Sequence, residues 1–445
     1  MQSLFRSSGR LVPLAVLVAL AALVVLSPIA RRGITGEEAT FCLGFILIFA
    51  FFVARALKGA QLPEISGYIL AGVLCGPYLM NILSLEVVRR LQIFDDVALA
   101  IIALIAGGEM RMSFLRKGKA SILGVIGGQV LFSFAGAMLV VFLAREHLGF
   151  LAGQGTATVI AAGLALGVVT AARSPATTIG VVTEARARGP YTNLVVAVTV
   201  ILDVVVLILA ALIVPTVRAL TVPGEGFSVL FAKDLLIELF GSIAIGLFFG
   251  SVLAAYIRWV GGQLPIFLLG AGFVGSVVCR HYHLEPLLAF MIAGFIIQNF
   301  TVMGERLIQA LERSALPVYV IFFAISGASI NLDALRAMWV LAIILVVMRG
   351  AAFHVGSLAA GVVVPAVRPY AKNLWMGLLS QAGVTIGIAT VFERRLPWGA
   401  ELKTIILAVV AINQLVGPVA LKFMLARRGE VGGMDRRDSP SPGAQ

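Results

Sequence analysis

Asp203 stands in VILDVVV, near the middle of an apolar run from Leu194 to Val214 in which only Thr199 and Asp203 are polar. A carboxylate at that depth in hydrocarbon costs roughly 2.5–3.5 kcal/mol on insertion scales. It becomes tolerable in three ways: by taking up a proton, by holding a cation, or by pairing with a buried base. Thr199, one turn earlier on the same helix face, can share a ligand with it. A base is available, because Arg349 sits mid-segment in ILVVMRGAAFHVG. An intramembrane acid and base pair with one another, mark an ion pathway, or do both. His354, five residues past Arg349 and about 140° around the helix, does not share its face and reads as a packing residue.

A second group of polar residues lies just upstream, in TAARSPATTIGVV. Pro175 has no amide hydrogen and clashes with the preceding turn, so it interrupts segment 156–184. Backbone groups freed by such a break in lipid need partners, and Ser174, Thr177 and Thr178 supply hydroxyls. Arg173, beside the break, can balance the negative end of a half-helix dipole. Segment 372–392 contains LLSQAGVTIGIA, in which Gly383 and Gly387 loosen the helix and Ser380, Gln381 and Thr385 offer polar groups. Glu109, in AGGEMRM, reads as a structural ion-pair partner of Arg173 or as a snorkelling side chain. Asn413 and Gln414 fall where a second-half counterpart of Asp203 belongs, but neither titrates.

The elements that must hold these residues are membrane helices. The chain is 60% hydrophobic and 13% charged, with a mean hydropathy of +1.03. A soluble chain of 445 residues cannot bury that much apolar surface. The apolar runs are long and do not alternate, which selects helices over a β-barrel. The sequence predicts an all-α polytopic membrane protein of 13–14 transmembrane helices, from segment 11–30 to segment 400–426. The net charge of +12 does not point to nucleic acid, because the basic residues sit singly or in small groups between apolar runs. Their distribution favours both termini in the cytoplasm. Segment 11–30 has a basic start and reads as a retained helix or a signal anchor. The three cysteines, Cys42, Cys75 and Cys279, lie in or at the edge of apolar runs without metal spacing. The stretch after Arg428 is polar, rich in Gly and Pro, and predicted disordered.

The chain also repeats itself. ISGYILAGVLCGP (65–77), IAGGEMRMSFLR (105–116) and SPATTIG (174–180) recur in order as LLAFMIAGFIIQN (287–299), ISGASINLDALR (325–336) and QAGVTIG (381–387). Seven spans separate corresponding helices, an odd number, so the halves face opposite ways. This predicts an extra N-terminal helix (1–38), a first inverted repeat (39–218), a linker helix (219–260), a second inverted repeat (261–428) and a tail (429–445). Interrupted helices at matching positions of two inverted halves are the best sequence pointer to a midplane binding site.

GYILAGVLCGP, the Gly-Gly-Glu of IAGGEM, the break before VILDVVV, LLSQAGVTIGIA and the closing VGPVALKFML together resemble the monovalent cation/proton antiporter superfamily, the sodium/hydrogen exchanger-like proteins. The resemblance covers residues 39–426. It implies two crossed broken helices in a mobile core domain, a dimerisation domain and hence a homodimer, and a cell-membrane location, which composition suggests is bacterial. It also implies Asp203 as the site that binds Na+ or K+ in competition with H+, and Arg349 as a basic residue on a neighbouring core helix. Ser174, Thr177, Thr178 and Thr199 are the further candidate ligands, and Gln381, Gly383 and Thr385 mark the second broken helix. Two features depart from the family pattern: Leu202 where Asn or Asp is common, and Arg-Ser-Pro where an acid is common at the first break. One carboxylate suggests one-for-one electroneutral exchange. A sodium-coupled organic anion symporter of related fold is the rival. A channel lacks the rings of polar groups it needs. No HExxH, GxSxG or P-loop pattern supports an enzyme or a cofactor.

Overall fold

The computed structural model describes residues 36–58, 62–221, 229–260 and 263–432. The expected first helix and residues 433–445 of the expected tail lie outside the described residues. Among the described residues the chain forms helices and no strands. These are α1 (Gly36–Lys58), α2 (Glu64–Cys75), α3 (Leu85–Glu109), α4 (Met112–Ala144), α5 (Thr156–Ala171), α6 (Pro175–Glu184), α7 (Pro190–Thr221), α8 (Val229–Trp259), α9 (Leu264–His281), α10 (Pro286–Phe300), α11 (Gly304–Ala328) and α12 (Leu332–Val363). After short turns at Pro365–Ala371 and a 3-10 turn at Leu374–Leu378 come α13 (Gly383–Arg395) and α14 (Gly399–Arg427). Among the described residues, eight candidate spans are long and apolar enough to cross a bilayer, with Thr156–Glu184 counted as one across its break. Glu64–Cys75, Val97–Gly108, Pro286–Phe300 and Leu316–Ala328 are apolar but shorter.

Helices α3 and α11 start about ten residues before the apolar stretches that announce them. Their first turns, LEVVRRLQIFD and GERLIQALER, are amphipathic and charged. Hydropathy sees only the part in lipid, whereas the hydrogen-bonded helix continues past the interface.

The helices pack as two bundles, each drawing on both halves of the chain. One holds α4, α5, α6, α7, α12, α13 and α14; the other holds α1, α2, α3, α8, α9, α10 and α11. In the second bundle the repeated glycines explain the crosswise pairing. A Cβ at Gly72 of α2 would collide with the backbone of α11 at Ala324, and one at Gly327 of α11 with the backbone of α2 at Ile69. The counterparts behave alike: Gly294 of α10 abuts Leu104 of α3, and Gly107 of α3 abuts Met291 of α10. Lipid gives helices little hydrophobic reason to associate, so close backbone approach at small residues does much of the packing.

Candidate ion-binding site at the crossing of two broken helices

The first break follows from its own residues. Helix α5 ends at Ala171, residues 172–174 are extended, and α6 starts with Pro175 at its first position. Proline suits that place because the first-turn amide has no intrahelical acceptor. Ser174 caps the new helix: its Oγ accepts from the Thr177 amide at 3.2 Å and lies 2.9 Å from Thr177 Oγ1. The Ser174 amide in turn donates to the Ser380 carbonyl at 3.0 Å. That bond joins the two breaks backbone to backbone, since Ser380 lies between the 3-10 turn and α13.

The carbonyls orphaned at both breaks converge on one guanidinium. Arg349, on α12 and 1% exposed, donates from Nε to Thr170 O at 2.9 Å, from Nη2 to Ala172 O at 2.9 Å and from Nη1 to Leu379 O at 2.5 Å. A cation facing half-helix C-termini is favoured by their partial negative charge. The sequence offered this task to Arg173, and the structure gives it to Arg349. Arg173, equally buried, reaches Gln129 Oε1 with Nη2, while its Nε and Nη1 have no partner among the described residues. Both arginines lie over the ring of Phe353, at 4.5 Å for Arg173 and 4.4 Å for Arg349, a cation–π contact that offsets part of their desolvation.

Asp203 is buried on α7 at 4% exposure. Its Oδ1 has no hydrogen-bond partner among the described residues, and neither does Thr199 Oγ1. No ion pair joins Asp203 to Arg349 or Arg173 among the described residues, so the buried acid and the buried bases stay apart. Thr177 and Thr178 are buried in the first turn of α6. At the second break Gln381 is held from both ends: Nε2 donates to Val169 O at 2.8 Å and Oε1 accepts from Asn413 at 2.9 Å. The hydroxyls of Ser380 and Thr385 are buried without partners among the described residues. Gly383 opens α13. Glu109 ends α3, and its side chain lies outside the described residues. His354 contacts Trp375 edge-on.

A cavity of about 600 Å³ lies between the bundles and ends at the breaks. One wall includes Ser174, Pro175, Ala382 and Gln414; the other includes Glu285 and Ser326. Leu207, Ala210 and Val214 of α7 line it as well, and Asp203 is on that helix face, one turn deeper. Sequence reasoning missed Glu285 and Glu238, both on the second bundle's wall. Glu285 precedes Pro286, caps α10 through the Leu287 amide at 3.3 Å, and faces the cavity. Its signal was present, since an acid just before an apolar helix that starts with proline reads as a cap. Gln129, which also donates to Ser357 at 2.9 Å, was a polar residue in the apolar run VIGGQVLF and was likewise readable.

A family model described as "Sodium/hydrogen exchanger, transmembrane" matches residues 43–427. The chain belongs to the sodium/hydrogen exchanger family. A search of curated proteins finds no match. Among solved structures, the sodium proton antiporter MjNhaP1 from Methanocaldococcus jannaschii, at pH 8, superposes with a TM-score of 0.62 at 17% identity, covering 88% of this chain and 96% of that one. At that identity the likeness concerns the fold. Family membership makes this sodium/hydrogen exchanger relative a multi-pass membrane protein and supports cation/proton antiport.

Proposed function

We propose that this family member exchanges Na+ or K+ for H+ by alternating access, with Asp203 as the one group that binds either ion. The observation that carries this reading is a buried carboxylate with an unpartnered oxygen, one helix turn from an inter-bundle cavity that ends at two helix breaks. A bare carboxylate is expensive in the apolar barrier. A proton or a cation neutralises it, so the loaded site crosses and the empty one does not. Competition at one site thereby becomes obligatory exchange. Thr199, Ser174, Thr177 and Thr178 are the neighbouring hydroxyls proposed to complete a hard, oxygen-only shell, with Gln381, Gly383 and Thr385 shaping the second break. Arg349 and Arg173, with Glu109 near the end of α3, set the local charge balance. One carboxylate fits one-for-one, electroneutral exchange.

The acidic wall speaks against the organic-anion symporter. When ionised, Glu238 and Glu285 repel an anion entering the cavity and concentrate cations there. Arg173 also lines it, with its Nη2 on Gln129 and its guanidinium over the Phe353 ring.

The test is proton flux in proteoliposomes, read with a pH-sensitive dye as sodium, potassium and lithium are added in turn. Asp203→Asn is expected to abolish cation-dependent flux for every ion. Normal exchange by Asp203→Asn would remove Asp203 from the site.

A further inference from the structure

Opposite the cavity the two bundles are bound together by a small set of polar contacts. Glu184, the last residue of α6 in the first bundle, points its carboxylate at the start of α2 in the second. Its Oε1 accepts from the Glu64 amide at 2.8 Å and its Oε2 from the Ile65 amide at 3.1 Å. Lys422 of α14, again in the first bundle, donates to Glu184 Oε1 at 3.0 Å and to Leu62 O at 3.0 Å. Pro63 precedes α2, and its side chain cannot cap the helix. The first-turn amides of α2 therefore take their acceptor from across the bundle boundary. A carboxylate at a helix N-terminus combines charge-assisted hydrogen bonds with the favourable end of the helix dipole.

These contacts lie far from the open end. Lys422 is eight residues past Gln414, the last cavity residue of α14, or about 12 Å along the helix axis. The loop charges assign the Glu184 end to the cytoplasm and the cavity mouth, near Glu285 and Ser329, to the other side. We propose that Glu184 and Lys422 form a cytoplasmic latch that holds the two bundles shut at that end while the cavity stands open at the other. This rests on the alternating-access reading, because the bundles must part at α2 for the site to reach the cytoplasm.

A second carboxylate supplies the control. Glu430 caps α7 in the same manner, accepting from the Tyr191 amide at 2.9 Å and the Thr192 amide at 2.7 Å. Both partners of that cap belong to one side of the boundary, so it closes a helix without tying the bundles together.

The experiment uses Leu207→Cys, a cavity residue one turn from Asp203, as reporter in a chain whose buried Cys42, Cys75 and Cys279 are replaced by alanine. A membrane-impermeant maleimide is applied from outside in right-side-out vesicles and from the cytoplasmic side in inverted ones. Glu184→Ala and Lys422→Ala are each expected to lower the outside-to-inside labelling ratio by about tenfold, since a population shift of that size follows from losing charge-assisted bonds made in one state only. Glu430→Gln is expected to leave the ratio as in the parent. An unchanged ratio in both latch variants overturns the proposal, as does an equal change in Glu430→Gln. Should Glu184→Ala not fold, Glu184→Gln keeps an acceptor but loses the charge, and an unchanged ratio in it and in Lys422→Ala counts equally against the latch. Labelling reads accessibility without ion flux, so failure of the latch and failure of the exchange reading are separate results.

Discussion

The two breaks meet through a backbone hydrogen bond and the Gln381 amide, yet they are built from different parts. In the first, the new helix starts from its own residues, since Pro175 opens α6, Ser174 caps it and Thr177 answers Ser174. The Thr170 and Ala172 carbonyls before it rely on Arg349. The second has no proline between Leu374 and Arg395. Helix α13 begins after Ala382 with no side-chain cap. Its surroundings come from elsewhere: Arg349 of α12 takes the Leu379 carbonyl, and Gln381 is fixed by Val169 of α5 and Asn413 of α14. At the first break the Ser174 hydroxyl accepts from the Thr177 amide and the Thr177 hydroxyl meets that of Ser174. The second leaves those of Ser380 and Thr385 unspent. The second break therefore has free hydroxyls to offer a ligand, whereas Ser174 and Thr177 of the first would exchange their mutual contact for one.

The largest effect on this comparison should come from Arg349, which serves both breaks at once. Arg349→Met leaves three buried carbonyls without a donor, at roughly 1–3 kcal/mol each. The expected result is a large fall in the melting temperature of the detergent-solubilised protein, with Arg349→Lys recovering only part because an ammonium cannot present the same planar fork. If Arg349→Met melted like the parent, the shared support of the breaks would be refuted. Next in size is Gln381→Ala. It frees Val169 O and strands the Asn413 amide, for an expected loss of about 2 kcal/mol, which should loosen the second break more than the first. Hydrogen exchange at 383–388 against 175–180 reads the difference, and equal changes at both would argue that the breaks are one cooperative unit.

The sequence carried some of this arrangement and not the rest, for physical reasons. Proline announces the first break because it acts locally, through its missing amide and its ring. The second break is visible mainly as the echo QAGVTIG of SPATTIG, since its causes sit on α5, α12 and α14, remote in the chain. Burial of Asp203 and Arg349 followed from their places in apolar runs. Their separation did not, because which carbonyls a guanidinium reaches depends on how α12 crosses the breaks. The repeated glycines were legible as a pattern, but their meaning, a crosswise pairing of α2 with α11 and of α3 with α10, is tertiary. Hydropathy likewise hid Glu285, which lies where an apolar stretch begins.

Two hydroxyl substitutions sharpen the contrast between the breaks at smaller scale. Ser174→Ala removes a helix cap and should cost about 1 kcal/mol of stability, and, because Ser174 is one of several proposed ligands, should raise the cation concentration for half-maximal exchange by about two- to threefold. Thr385→Val removes a hydroxyl with no partner among the described residues, so stability should hold while that concentration rises by about tenfold, the equivalent of about 1.4 kcal/mol of lost ligand binding. The reverse pattern, with Ser174 governing affinity and Thr385 governing stability, would invert the division drawn above.

The smallest expected effect belongs to Glu285, which faces the breaks from the other bundle and touches neither. Its contribution is long-range attraction, and attraction through a water-filled cavity is screened by salt. Glu285→Gln should therefore raise the half-maximal cation concentration by about two- to threefold at low ionic strength and leave it nearly unchanged when an inert salt is added at about 0.3 M. A carboxylate that instead coordinated the ion directly would show a loss insensitive to salt. Salt dependence thus separates a wall that gathers cations from a wall that binds them, and it does so without disturbing either break.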